Sequence, residues 1–109
     1  MNRDDASVVD IDTAAKRILK FVGNLNETEL SADEEKQSAI IYQLIIIGEA
    51  TKRLSPKFRQ QHESIPWKAI AGMRDVLAHQ YDKVNSKTLW DIVDQEIPEL
   101  IDLISPLLP

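Results

Sequence analysis

The stretch VVDIDTAAKRILKFVGNL, residues 8–25, decides the fold class. Val8, Ile11, Ala15, Ile18, Val22 and Leu25 recur at alternating spacings of three and four, which puts them on one stripe of a helix with about 3.6 residues per turn. Asp4 or Asp5 can cap the start of that helix. No segment of the chain alternates with period two, and glycine occurs only three times. The expected class is therefore all-α.

The same spacing extends outward. NETEL, residues 26–30, reads as a polar connection. In the SADE that follows, Ser31 is placed as an N-cap with Glu34 three residues later, the pattern of a capping box, so a second helix is expected from about Ala32 to Leu54. Its middle is apolar on nearly every side, through Ile40, Ile41, Tyr42, Leu44, Ile45, Ile46 and Ile47. Such a helix needs more than one partner: either its own bundle wraps it or a second copy of the chain covers part of it. Ser55 and Pro56 predict a short helix to about Gln61, and Pro66 a further start that runs to about Gln80. Ser86 is placed as the cap of a last helix to about Ser105, kinked near Asp94 to Ile97 because Pro98 removes a backbone donor. The expected architecture is an antiparallel bundle of four main helices plus one short helix, homodimeric, with residues 1–109 as a single domain.

Composition excludes several classes. There is no cysteine for a disulfide, a thiolate metal site or a thiol nucleophile. The first twenty residues carry too many charges for a secretion signal, and the longest apolar run, Ala39 to Gly48, is about half of what a bilayer needs. A cytoplasmic protein with no membrane partner is expected. The net charge of −5 is unevenly spread. Residues 1–51 hold five basic and ten acidic side chains, residues 52–87 hold eight and three, and residues 88–109 hold none and five. Only the middle third is locally positive and suited to phosphate.

Within that third, IAGMRDVLAHQYDK, residues 70–83, carries the residues suited to chemistry. On a helical wheel Trp67, Ile70, Leu77, Ala78 and Tyr81 share one side with Arg74 in their midst; Asp75 lies about 100° and His79 about 140° from Arg74. A fixed cation, an imidazole, a carboxylate and a phenol near one helix end suit phosphoryl transfer. Arg stabilises charge on phosphorus oxygens, His exchanges protons near neutral pH, and Asp75 can orient the imidazole. No metal-ligand cluster accompanies them in sequence, so neither a metal nor another cofactor is expected. Each residue also has a purely structural reading. His79 can satisfy the last carbonyls of a helix, Tyr81 can be a core residue, and Arg74 can pair with Glu49 or Asp91.

Arg74, four residues, His79, one residue and Tyr81 match the R-x(4-6)-H-x-Y motif of HEPN-domain ribonucleases. Together with IIIGEATKRLS, IPWKAIAGMRDVLAHQYDKV and LWDIVDQEIPELIDLI, taken in order, the chain resembles the small HepT-like (DUF86) branch of that superfamily from its second helix onward. The resemblance implies an endoribonuclease toxin that cleaves RNA without metal through Arg74 and His79. It implies homodimers whose two motifs face one cleft. It also implies control by an MNT-type nucleotidyltransferase antitoxin, with Tyr81 as the acceptor of AMP. The position after the Arg is often Asn in the superfamily; Asp75 keeps the polarity and changes the donor pattern. The alternative is a non-catalytic HEPN module that binds nucleotide or completes a nucleotidyltransferase partner.

Overall fold

A computed structural model describes residues 2–72 and 85–109, and the described residues are all helical apart from short connections. Helix α1 spans Arg3–Val22, with Val8, Ile11, Ala15 and Ile18 fully buried and Val22 and Leu25 half-buried along the expected stripe. Its cap is Asn2, whose side chain accepts from the Asp5 amide at 2.7 Å, rather than Asp4 or Asp5. Asp4 is engaged elsewhere. Gly23 ends the helix with φ at +52°, a conformation that side chains with a Cβ rarely adopt.

The polar connection expected at residues 26–30 is instead a short helix, α2 (Glu27–Ser31). Asn26 and Glu29 form its capping box, each side chain taking the other's backbone amide at 2.8 and 3.0 Å, and Leu30 is buried as its anchor. The capping box expected at Ser31 and Glu34 does not form, because Ser31 closes α2 by donating to the Thr28 carbonyl at 2.7 Å. Asp33 caps the next helix, α3 (Glu34–Arg53), by accepting from the Lys36 amide at 2.9 Å. Gln37 ties the two together by donating to the carbonyls of Leu30 and Ser31.

Helices α1 and α3 pack along one another in opposite directions. The start of α1 meets the end of α3: Arg53 donates to Asp10 at 3.0 Å, and Asp4 takes both the amide and the hydroxyl of Ser55 at 2.8 Å. Ile40, Leu44 and Ile47 are fully buried in that contact layer, and Ile41 nearly so. Tyr42 is 62% exposed, and Ile45 and Ile46 are half-buried, so one face of α3 is left partly uncovered among the described residues.

The short helix expected to about Gln61 is α4 (Pro56–Gln61), and Ser55 is its cap. Pro66 stands one residue before the next helix, α5, whose described part covers 67–72; its carbonyl accepts from Ile70 at 3.1 Å, so Pro66 acts as a cap rather than as the first helical residue. The last cap is likewise shifted by one: Asn85, not Ser86, accepts from Lys87 at the head of α6 (Ser86–Asp91). The break ahead of Pro98 is a π-helical turn over Ile92–Glu96, followed by α7 (Ile97–Ile104) and a 3₁₀ turn at Ser105–Leu107. The physical reason is the Pro98 ring, which supplies no donor and crowds the carbonyl four residues back; the wider turn, in which the Ile97 amide reaches the Ile92 carbonyl, makes room for it. Among the described residues no helix is long and apolar enough to cross a membrane.

Candidate functional site

Arg74, Asp75, His79 and Tyr81 lie outside the described residues, within 73–84. What the structure describes is how the chain is held on either side of them. Before the segment, Ile65, Trp67 and Ile70 are 5, 6 and 6% exposed and fix the first turn of α5 onto the core. The Trp67 indole donates to the His62 carbonyl at 3.0 Å, so the bulkiest of these anchors is also satisfied at its polar edge. Phe58 of α4 packs tilted against His62 at 4.6 Å and against Trp67 at 6.1 Å between ring centroids, and thereby ties α4 to α5. After the segment, the Asn85 cap starts α6, and Leu89 is buried one turn later. Both ends of the motif segment are thus set on one hydrophobic core.

Two surface features adjoin these elements. A cleft of about 120 Å³ runs between α5 and α7, lined by Pro66, Ala69, Ile70, Ile97, Leu100 and Leu103 with Glu96 and Glu99 at its side. A wider depression, of about 550 Å³, lies where the start of α1 meets the end of α3 and α4. Four basic side chains line it: Arg3, Lys52, Arg53 and Arg59. Lys52, Arg53 and Arg59 belong to the positive third of the sequence; Arg3 was not singled out there, because only the antiparallel packing of α1 on α3 brings it beside them. Asp4 is the carboxylate of this depression, and two hydrogen bonds from Ser55, first from its amide and then from its hydroxyl, hold the acid below its ordinary range. Arg53 is paired with Asp10 at 3.0 Å. Arg59 Nε is buried with no hydrogen-bond partner among the described residues.

Of the structural alternatives for Arg74, Asp91 sits 3.6 Å from Lys87 one turn earlier on α6, and Glu49 is half-buried near the end of α3. Among the described residues no three His, Asp or Glu side chains form a group that could hold a metal ion.

The sequence profile of the family described as ribonuclease HepT-like matches residues 11–107, nearly the whole chain. Among individual proteins, one from Caldanaerobacter subterraneus whose name marks it as an inferred RNase is 38% identical over 91 residues, covering 84% of this chain and 81% of its own. A similarly named protein from Methanocaldococcus jannaschii is 35% identical over 103 residues, 94% of this chain and 85% of its own. An inferred ribonuclease HepT from Thermococcus cleftensis is 38% identical over 91 residues, 84% of this chain and 83% of its own. No solved structure matches the chain. With a family profile matched from the third turn of α1 to the last residues, and three relatives above 30% identity over most of their length, the chain belongs to the HepT-like ribonuclease family.

Proposed function

We propose that this chain is an endoribonuclease, the toxin of a toxin–antitoxin pair, acting on RNA without a metal ion. The observation that carries the reading is the family match across residues 11–107 with Arg74, His79 and Tyr81 in the motif spacing inside it. In the reaction, the ribose 2′-oxygen loses its proton and bonds to the adjacent phosphorus. The bond from phosphorus to the 5′-oxygen breaks, that oxygen takes up a proton, and a 2′,3′-cyclic phosphate remains. His79 exchanges the protons, Arg74 stabilises the charge on the phosphoryl oxygens, and Asp75 orients the imidazole.

Residues 1–109 act as one domain, an antiparallel bundle that works as a cytoplasmic homodimer with two motifs facing a shared cleft. The partly uncovered face of α3, at Tyr42, Ile45 and Ile46, supports pairing through that helix. Control comes from a nucleotidyltransferase antitoxin of the MNT type. It transfers AMP from ATP to Tyr81: the phenolic oxygen bonds to the α-phosphorus, pyrophosphate leaves, and the phenol gives up its proton. The added phosphodiester then occupies the place of RNA phosphate beside Arg74.

The test is RNA cleavage by the purified chain in EDTA, alongside Arg74→Ala and His79→Ala. Activity is expected to survive chelation and to fall roughly 100- to 1000-fold in either variant, the usual cost of removing one positioned charge-stabilising group. Abolition by EDTA, or full rate in His79→Ala, overturns the mechanism. A folded wild type with no cleavage of any RNA favours the non-catalytic module.

A further inference from the structure

The net charge of −5 poses a physical problem for a protein that acts on a polyanion: most of the surface repels the strand, and one motif arginine per chain cannot hold several nucleotides. The depression between the start of α1, the end of α3 and α4 meets that need. It gathers Arg3, Lys52, Arg53 and Arg59 from three elements against one carboxylate, Asp4, both of whose oxygens already accept from Ser55. Asp4 keeps its negative charge, with Arg3 as a favourable neighbour, and Asp10 pairs with Arg53, so the four basic side chains outnumber these two carboxylates. Arg59 adds the feature that points to a ligand, because its Nε is buried with no hydrogen-bond partner among the described residues. A buried guanidinium donor left unmatched costs free energy that an anion can recover, and guanidinium suits phosphate oxygens in particular. Arg59 is also next in sequence to Phe58, whose ring packs on Trp67 at the head of α5, so the depression is structurally tied to the helix that leads into the motif.

We propose that this depression is a second phosphate-binding site for the RNA strand, engaging a backbone phosphate away from the bond that is cut, with Arg3 and Arg59 as its principal contacts. The proposal rests on the ribonuclease reading and adds to it where the strand is held. Backbone contacts of this kind fix the register of a strand without reading its bases.

The experiment uses the full chain and a fluorescent 12-nucleotide RNA with 2′-O-methyl riboses, which cannot be cleaved by 2′-hydroxyl attack. Affinity is measured by anisotropy between 0.05 and 0.5 M salt for wild type, for Arg3→Gln/Arg59→Gln, and for Arg17→Gln/Lys20→Gln. The second pair makes the same charge change on exposed positions of α1, about 21 and 26 Å further along the helix than Arg3 at about 1.5 Å per residue. Circular dichroism melting confirms that each variant is folded. Loss of one single-strand phosphate contact should reduce the slope of log affinity against log salt by about 0.7 and weaken binding at 0.1 M salt on the order of 5-fold. The Arg17/Lys20 pair should leave the slope as in wild type. Equal effects of the two pairs, or an unchanged slope in Arg3→Gln/Arg59→Gln, overturn the site. A wild type that binds no RNA at all sinks the ribonuclease reading instead.

Discussion

Asp4 illustrates how one side chain can look like a cap and act as a clasp. From its place beside the first apolar residues it reads as a helix cap, yet Asn2 has that role and Asp4 reaches across to Ser55. Ser55 in turn caps α4, its hydroxyl accepting from the Phe58 amide at 3.1 Å. One carboxylate therefore secures the start of α1, the end of α3 and the start of α4. Ser55→Ala should cost about 1 kcal/mol of unfolding free energy, the usual loss for an N-cap, measurable by urea titration. The acid of Asp4 is lowered in the folded state, chiefly by the Ser55 amide and then by its hydroxyl. Its stabilisation is accordingly complete above the ordinary value of 3.8 and is lost as the pH falls through the lower, folded value. Asp4→Asn should thus be less stable than wild type at pH 7, and the two should converge in acid below that range; a gap that persists at pH 2 would mean that Asp4 acts through packing. At the motif, Tyr81→Phe should still cleave RNA and escape AMP transfer, which intact-mass spectrometry after incubation with antitoxin and ATP reads directly. Labelling at Tyr42, or undiminished labelling of Tyr81→Phe, contradicts the acceptor assignment.

At the scale of elements, strong periodicity was legible and punctuation was not. The stripe of α1 and the extent of α3 follow from apolar spacing, since burying those faces dominates the energetics. Helix α2 escaped because Leu30 is its single buried residue and no period can be read from one. Its capping box, Asn26 with Glu29, is present in the sequence, but the equally good match at Ser31 and Glu34 competes with it. Packing of Leu30 decides between them. Pro98 announced a break without saying of what kind; whether a helix kinks or widens depends on which neighbours must stay buried, and Ile92, Val93 and Ile97 all do. The motif at Arg74, His79 and Tyr81 is a pattern of residue types outside the described residues, whereas the basic depression was only partly legible, because Arg3 and Arg59 meet through tertiary packing. Gly23 permits a prediction here. Its φ of +52° is open to glycine at no cost, and the nearest atom to an added Cβ, the Lys20 carbonyl oxygen, is at an ordinary 3.7 Å. Gly23→Ala should therefore lose about 1 to 3 kcal/mol from backbone strain alone, without a clash. Urea titration of Gly23→Ala against wild type checks this; an unchanged stability would mean that the backbone relaxes to a conformation other residues share.

For the whole molecule, the decisive surface is the outer side of α3. Tyr42 is 62% exposed there, and Ile45 and Ile46 beside it are only partly buried against the core of one chain. These positions fall on one side at helical spacing, opposite the buried Ile40, Leu44 and Ile47, so the surplus of apolar residues in the sequence resolves into a core face and a second face. An exposed apolar strip flanked by charged residues is the usual form of an interface between chains, and a helix meeting its own copy about a two-fold axis makes it self-complementary. Sedimentation of the wild type at micromolar concentration should accordingly give twice the 12.4 kDa chain mass. Tyr42→Asp is the informative variant: the side chain is already mostly in water within one chain, so the substitution should leave the fold and its melting by circular dichroism nearly intact while placing two carboxylates against each other across the pair. The variant should sediment as a monomer and, because the proposed cleft needs both copies of the motif, should lose RNA cleavage with Arg74 and His79 unaltered. A monomeric Tyr42→Asp that cleaves at the wild-type rate would show that each chain works alone, and a dimer that survives the substitution would move the interface off this face of α3.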